Sequence, residues 1–209
     1  MEGFCVTEFG SSIKRPFAEF KKFLIGTLVS IVPIVNFAGI GYGLECAATA
    51  SRRNFALPSW SGFGRHWVRG LLGLIITLLY MLVPGLVMFL GMGNPVFLVL
   101  GGILAVLFMY VAFAGLIAYA IEDRFGAAFD FGHAFRTAFT GKWFAAFIVT
   151  LLVGIVLGAV GALANYLLAF TVVVPFIVGG LVSWIGTVAV DSILGSAYGE
   201  LHGAPSKRK

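Results

Sequence analysis

The sequence predicts an all-α integral membrane protein built from two helical hairpins, giving four firm transmembrane helices. Before them comes an N-terminal segment that is either a kinked re-entrant helix or a further span. Three observations carry this prediction. Of 209 residues 60% are hydrophobic and only 11% charged, with a mean hydropathy of +1.02, against about 25% charged residues in an average soluble domain. Charged residues are absent from Phe23 to Leu44 (22 residues), Gly70 to Ile121 (52 residues) and Trp143 to Val190 (48 residues). All 14 lysines and arginines fall between or outside these runs. A water-soluble globule is excluded, and so is a membrane β-barrel, whose strands alternate apolar and polar positions. The whole of 1–209 reads as a single membrane domain with no room for a soluble catalytic unit.

The elements follow in order. Residues 1–22 form an interfacial segment, where Phe17, Phe20 and Phe23 recur beside Lys14, Lys21 and Lys22 in a pattern suited to an anionic bilayer surface. Its basic residues lie too far in, and the following apolar run is too long, for a cleavable signal peptide, so residue 1 is read as the mature start. Over 23–50 the chain could just span, yet Pro33 and Asn36 near the middle could turn it back; the re-entrant reading, preferred here, places all four basic clusters on one side. A span needs about 20 apolar residues, so each longer run accommodates two. Turn signals at Gly93-Asn94-Pro95 and Asn165-Tyr166 divide them into helices at about Leu71–Met92, Val96–Ile121, Trp143–Ala164 and Leu167–Leu194. Residues 201–209 are a basic tail. The hairpin tips carry no lysine or arginine, which predicts a cell-membrane protein with basic connectors and C-terminus cytoplasmic.

Residues 67–122 and 143–200 read as an internal hairpin repeat. Trp67 maps onto Trp143, Phe97 with Gly101-Gly102 onto Phe176 with Gly179-Gly180, and Ala118-Tyr119-Ala120-Ile121-Glu122 onto Ala197-Tyr198-Gly199-Glu200. The first segment ends similarly, in Gly41-Tyr42-Gly43-Leu44-Glu45. Both connectors, which carry Phe63-Gly64-x-His66 and Phe131-Gly132-His133, predict short amphipathic surface helices, and His66 and His133 could meet.

Leu57-Pro58-Ser59-Trp60, Phe63-Gly64 and Gly70-Leu71, following Gly41-Tyr42 and joined later by Phe129-Asp130, resemble the domain-of-unknown-function 4013 family of uncharacterised multi-pass membrane proteins. The resemblance covers most of residues 17–200 and implies a fold without an activity. The chain departs from the family in carrying Ser59 and Ser61 where acidic residues often follow the proline.

Four acids are candidate intramembrane or interfacial sites: Asp191, Glu45, Glu122 and Glu200. A carboxylate at mid-bilayer costs about 2.5–3.5 kcal/mol and needs a reason. The three glutamates follow tyrosines at helix ends and read first as interfacial anchors; Asp191, among Val190, Ile193 and Leu194, is deepest, with a surface-facing turn or a bond to Ser192 as its simplest account. Gly39, Gly43, Gly154 and Gly158 have the Gly-x-x-x-Gly spacing of helix packing, and Pro84 and Pro175 predict kinks within spans. Trp60, Trp67, Arg136, Lys142 and Trp143 are the expected lipid-interface residues. Cys5 and Cys46 share no motif and read as reduced or buried.

No nucleotide, metal or nucleophile motif occurs, so no cofactor, metal site or enzymatic activity is expected, and the net charge of +5 lies in membrane-flanking clusters rather than a nucleic-acid groove. The expected partners are membrane lipids and either a membrane protein or a second copy. Two functions fit these features, the first preferred. One is a non-catalytic scaffold or accessory subunit packing against partner helices and lipid. The other is a small transporter or channel using Asp191, Glu45 and Glu122 around a cavity behind Pro84 and Pro175.

Overall fold

The structure, a computed structural model, describes residues 6–167, 171 and 173–203. Cys5 and Lys207–Lys209 lie outside the described residues. No strand occurs among them. The chain begins with α1 (Val6–Lys14), a single 3-10 turn at Arg15–Phe17 and α2 (Phe20–Ile31), then turns at 32–35 into α3 (Asn36–Ala50). Twelve and fifteen residues at about 1.5 Å each give lengths near 18 and 22 Å, short of the roughly 30 Å hydrocarbon core. Neither spans, and together they form a re-entrant hairpin.

The long helices are α4 (Phe63–Leu90), α5 (Pro95–Glu122), α7 (Gly141–Leu167) and α8 (Val173–His202), and four helices are long and apolar enough to cross a membrane. The first tip is built as its sequence specifies. Gly93 takes φ +90°, the Asn94 side chain accepts a hydrogen bond from Val96 N (3.0 Å), and Pro95 opens α5 where its missing N–H costs nothing. The second tip differs from the prediction. Asn165 and Tyr166 do not turn the chain, because α7 continues to Leu167.

At its other end α8 runs to His202, eight residues beyond the predicted Leu194. The extension has a packing cause: a Cβ on Gly195 or Gly199 would lie 2.3 Å from Ala47 O or 2.2 Å from Ser51 O, so bare glycine lets α8 lie against the end of α3. Pro175 falls in the first turn of α8 and interrupts no helical bond there, unlike Pro84, buried inside α4.

Of the connectors only the first departs from expectation, being loop and a 3-10 turn (Trp60–Gly62) rather than a helix of its own; the second carries a 3-10 turn (Phe125–Phe129) and the expected short helix, α6 (Phe131–Ala138), capped by Asp130 accepting from His133 N at 3.0 Å.

The short helix α3 is the centre of the molecule. Ten of its fifteen residues are buried, nearly all Ala or Gly besides Tyr42, Leu44 and Cys46. On one side it crosses α4, where a Cβ on Gly41 would fall 1.8 Å from His66 O and one on Gly70 1.8 Å from Phe37 O. On the other it runs parallel to α8, Gly43 against Asp191, Ala47 against Gly195 and Ser51 against Gly199. In contrast α2 runs antiparallel to α8, with Gly26 on Trp184 and Thr27 and Ile31 on Gly180. Small residues permit these approaches, and in lipid such close van der Waals contact is the main source of helix association. Both ends of the hairpin therefore reach the end of the bundle that holds the basic connectors, while the turn's Ile34 carbonyl accepts a 2.9 Å bond from Trp67 Nε1.

Candidate functional site

The polar residues gather in several places, each built by a different set of elements. The first surrounds Arg15. Its position just before Pro16 inserts the guanidinium beneath the end of α3, where it is only 2% exposed. Nη1 donates to Cys46 O (2.7 Å) and Ser192 Oγ (2.9 Å), and Nη2 to Thr49 Oγ1 (2.6 Å) and Ala56 O (2.7 Å). No carboxylate pairs with it among the described residues. The charge lies instead in the last turns of α3, where the helix dipole favours a cation. Arg15 lies in the 1–22 segment that the sequence places at the bilayer surface; its burial takes it off that surface. The neighbouring Lys22 pairs with Glu19 (2.7 Å) and donates to Leu57 O (2.8 Å).

The second place holds the glutamates. Glu45 accepts both oxygens' worth of bonds from Arg65 (3.0 and 3.1 Å), with Arg69 at 3.4 Å and His66 Nδ1 at 3.5 Å. Arg69 continues to Asp123 at 3.1 Å and to Ala120 O, joining α3, α4 and α5. Glu122 pairs with Arg124, and Glu200 lies 3.7 Å from Lys142. These three acids sit with cations at the basic end, and none of them lines the cavity at Asp191. They do not surround a common cavity, and neither Pro84 nor Pro175 lines the cavity at Asp191.

His66 and His133 do not meet. His66, fully buried, has Nε2 3.1 Å from Ser59 O and belongs to an aromatic group with Tyr42, Trp60 and Trp184. His133 has Nε2 2.8 Å from Tyr198 Oη and faces His202, which itself contacts Thr137 Oγ1 at 2.8 Å. Among the described residues no group of three or more His, Cys, Asp or Glu could hold a metal ion. Cys46 is a free, buried thiol.

The third place is Asp191. Because α8 continues to His202, Asp191 is no surface turn; it lies in mid-helix, and the Ser192 hydroxyl is engaged by Arg15. The carboxyl lines a cavity of about 340 Å³ between α3, α4, α5 and α8, together with Leu44, Thr77, Phe113, Leu116 and Thr187. A Cβ on Gly43 would lie 2.2 Å from Asp191 Oδ2, so this glycine makes the seat for the carboxyl.

The remaining sites divide. Gly39 is close-packed, with Asn36 Oδ1 3.1 Å from where a Cβ would be, whereas a Cβ on Gly154 or Gly158 would meet nothing within 4 Å. Those two do not pack within the chain, because α7 touches α8 along another face, through Gly161 and Leu157. Trp143 is fully buried rather than interfacial. Trp60 and Trp67 are half-buried, one in the aromatic group and the other bonded to Ile34. Arg136 and Lys142 are exposed, beside the exposed rings of Phe131, Phe135 and Phe139.

Sequence reasoning missed Arg15 and the Tyr42–Trp60–Trp184 group. An arginine next to a proline ahead of an apolar run carries no mark of burial; the aromatic residues are separated by up to 142 positions and only the fold unites them.

Four apolar helices of spanning length, with the short α3 buried among them, define an all-helical membrane protein of several passes. Within that class the chain belongs to the family described as protein of unknown function DUF4013, whose model matches residues 25–166. No curated protein and no solved structure matches it.

Proposed function

We propose that the protein is a non-catalytic accessory subunit or scaffold of the cell membrane, holding a partner helix against the outer face of α7. The observation that carries this reading is the open glycine pair Gly154 and Gly158, whose Cβ directions point to free space on a helix otherwise exposing Leu151, Leu152, Ile155 and Val156. Bare backbone four residues apart is the surface against which another helix approaches closely. The partner helix comes from another membrane protein or from a second copy. The three glutamates, each beside a cation, act as anchors at the basic end, and Phe131, Phe135 and Phe139 with Arg136 and Lys142 rest on lipid there.

The double substitution Gly154→Leu/Gly158→Leu tests this. The isolated bundle should unfold at an equal or slightly higher temperature, since leucine favours a helix by up to about 1 kcal/mol per site over glycine. The mass of the assembly extracted in mild detergent should fall to that of the monomer with its lipid. An unchanged assembly overturns the packing reading.

The basic end faces the cytoplasm in this reading, following the positive-inside rule. A cysteine placed at Asn94 should react with an impermeant maleimide added to intact cells, and one at Arg136 only after permeabilisation. Labelling of both from the same side overturns the orientation.

A further inference from the structure

The Asp191 chamber lies apart from the Gly154–Gly158 face, and only the groove beside it reaches Gly154. Asp191 is the sole ionisable residue in its lining, and it has neither a hydrogen bond nor an ion pair among the described residues. Arg15, on the adjacent residue's side of α8, is committed to Ser192 and three other acceptors. A carboxylate set in an apolar chamber without a partner is costly, yet α3 carries glycine at the one point where any side chain would collide with it.

Two hydroxyl residues share the chamber. Thr77 donates to Gly73 O at 3.0 Å, which leaves its oxygen able to accept, and Thr187 lies beside Asp191 with its methyl Cγ2 over Gly43. One carboxylate and two threonines fall short of the six or more oxygens a calcium ion takes. A single carboxylate in a lining this apolar suits a primary ammonium, which is compact and can donate to it directly in a charge-assisted bond. The rest of the lining is aliphatic or aromatic, and about 340 Å³ falls within the range of small-molecule sites.

The chamber also has an apolar neighbour. Phe113 and Val190 line both it and a groove of about 680 Å³ that runs along α5 and α7 past Met109, Phe147, Thr150 and Gly154. A ligand with its polar end at Asp191 can therefore extend a hydrophobic chain toward lipid. A phosphate-bearing headgroup does not fit this description, since its anion would follow the ammonium into the apolar space beside a carboxylate.

We propose that the chamber binds a lipophilic primary amine, its ammonium on Asp191 and its apolar body against Leu44, Phe113 and Leu116. The probe is 4-phenylbutylamine, with the neutral 4-phenylbutanol as its control, and the readout is thermal unfolding of the full chain in detergent. Saturating amine should raise the midpoint by about 4 °C or more, through binding to the folded state alone, and the alcohol should raise it less. Asp191→Asn should lose the extra effect of the amine while keeping that of the alcohol. Leu116→Trp, which fills the chamber and leaves Asp191 in place, should lose both. No shift in the wild type, equal shifts in wild type and Asp191→Asn, or a shift that survives Leu116→Trp would each overturn the proposal.

Discussion

Gly41→Ala is expected to abolish the stable bundle. A single added methyl would stand 1.8 Å from His66 O, 2.7 Å from His66 C and 2.8 Å from Gly70 N, all of them backbone atoms. A flexible side chain can swing aside, but here α3 and α4 must separate as whole helices. Parting them would loosen the α3 crossing and disturb the Glu45 bonds to Arg65 and Arg69. Overpacking a well-filled core costs about 1–3 kcal/mol when side chains can adjust; with backbone as the obstacle, about 4 kcal/mol or more is expected. The measurement is the fraction recovered as a monodisperse species in detergent, with its unfolding midpoint. Gly64→Ala, at the start of the same α4 where a Cβ meets nothing within 4 Å, is the matched control and should be neutral or mildly stabilising. Equal recovery of the two variants would show that the helices do not cross at Gly41.

Arg15→Met should be nearly as damaging, for a different reason. Four acceptors on α3, α8 and the connecting loop lose their donor at once, two of them backbone carbonyls, Cys46 O and Ala56 O. Cys46 O keeps its bond from Thr49 Oγ1 (3.0 Å) and Ala56 is exposed, so the loss falls mainly on Ser192 Oγ, on Thr49 Oγ1 and on the tie between the elements, and about 2–4 kcal/mol is expected. Arg15→Lys keeps the charge at the end of α3 but has no planar fork to reach in several directions, and should recover less than half of that. Raised salt separates this role from lipid binding: a guanidinium with 2% exposure is hardly screened, so 0.5 M sodium chloride should leave the wild-type midpoint in place. An Arg15→Met variant as stable as the wild type would remove Arg15 from the framework.

The spans were legible because the exclusion of charge over about 50 residues is a statement about solvent and needs no knowledge of packing. The first tip was legible too, since Gly93, Asn94 and Pro95 each favour a particular backbone conformation or cap. Asn165-Tyr166 misled because a polar residue inside an apolar run imposes no turn; the helix keeps its internal bonds through it and ends at Leu167. The end of α8 was misplaced by eight residues, since Gly195 and Gly199 read as helix-weakening residues until α3 is laid beside them.

The same confusion governed the candidate sites. Trp143 and Trp67 occupy matching places in the sequence, yet one is enclosed and the other fastens the re-entrant turn. Asp191 was recognisable as the deepest acid from its apolar neighbours. Its chamber was not, because the walls come from α3, α4 and α5, which are distant along the chain. The Gly154 and Gly158 spacing was visible, but spacing alone does not say whether the contacting helix belongs to this chain.

The link from Arg15 to Ser192 ties together positions 177 apart, and it bears on biogenesis. The re-entrant hairpin leaves the ribosome before the helix that seats Gly26, Thr27 and Ile31. Until α8 has emerged the earlier segment has no groove to occupy and its guanidinium is one acceptor short. A chain stopped before residue 173 would thus leave the hairpin unlatched, and α8 serves as its latch.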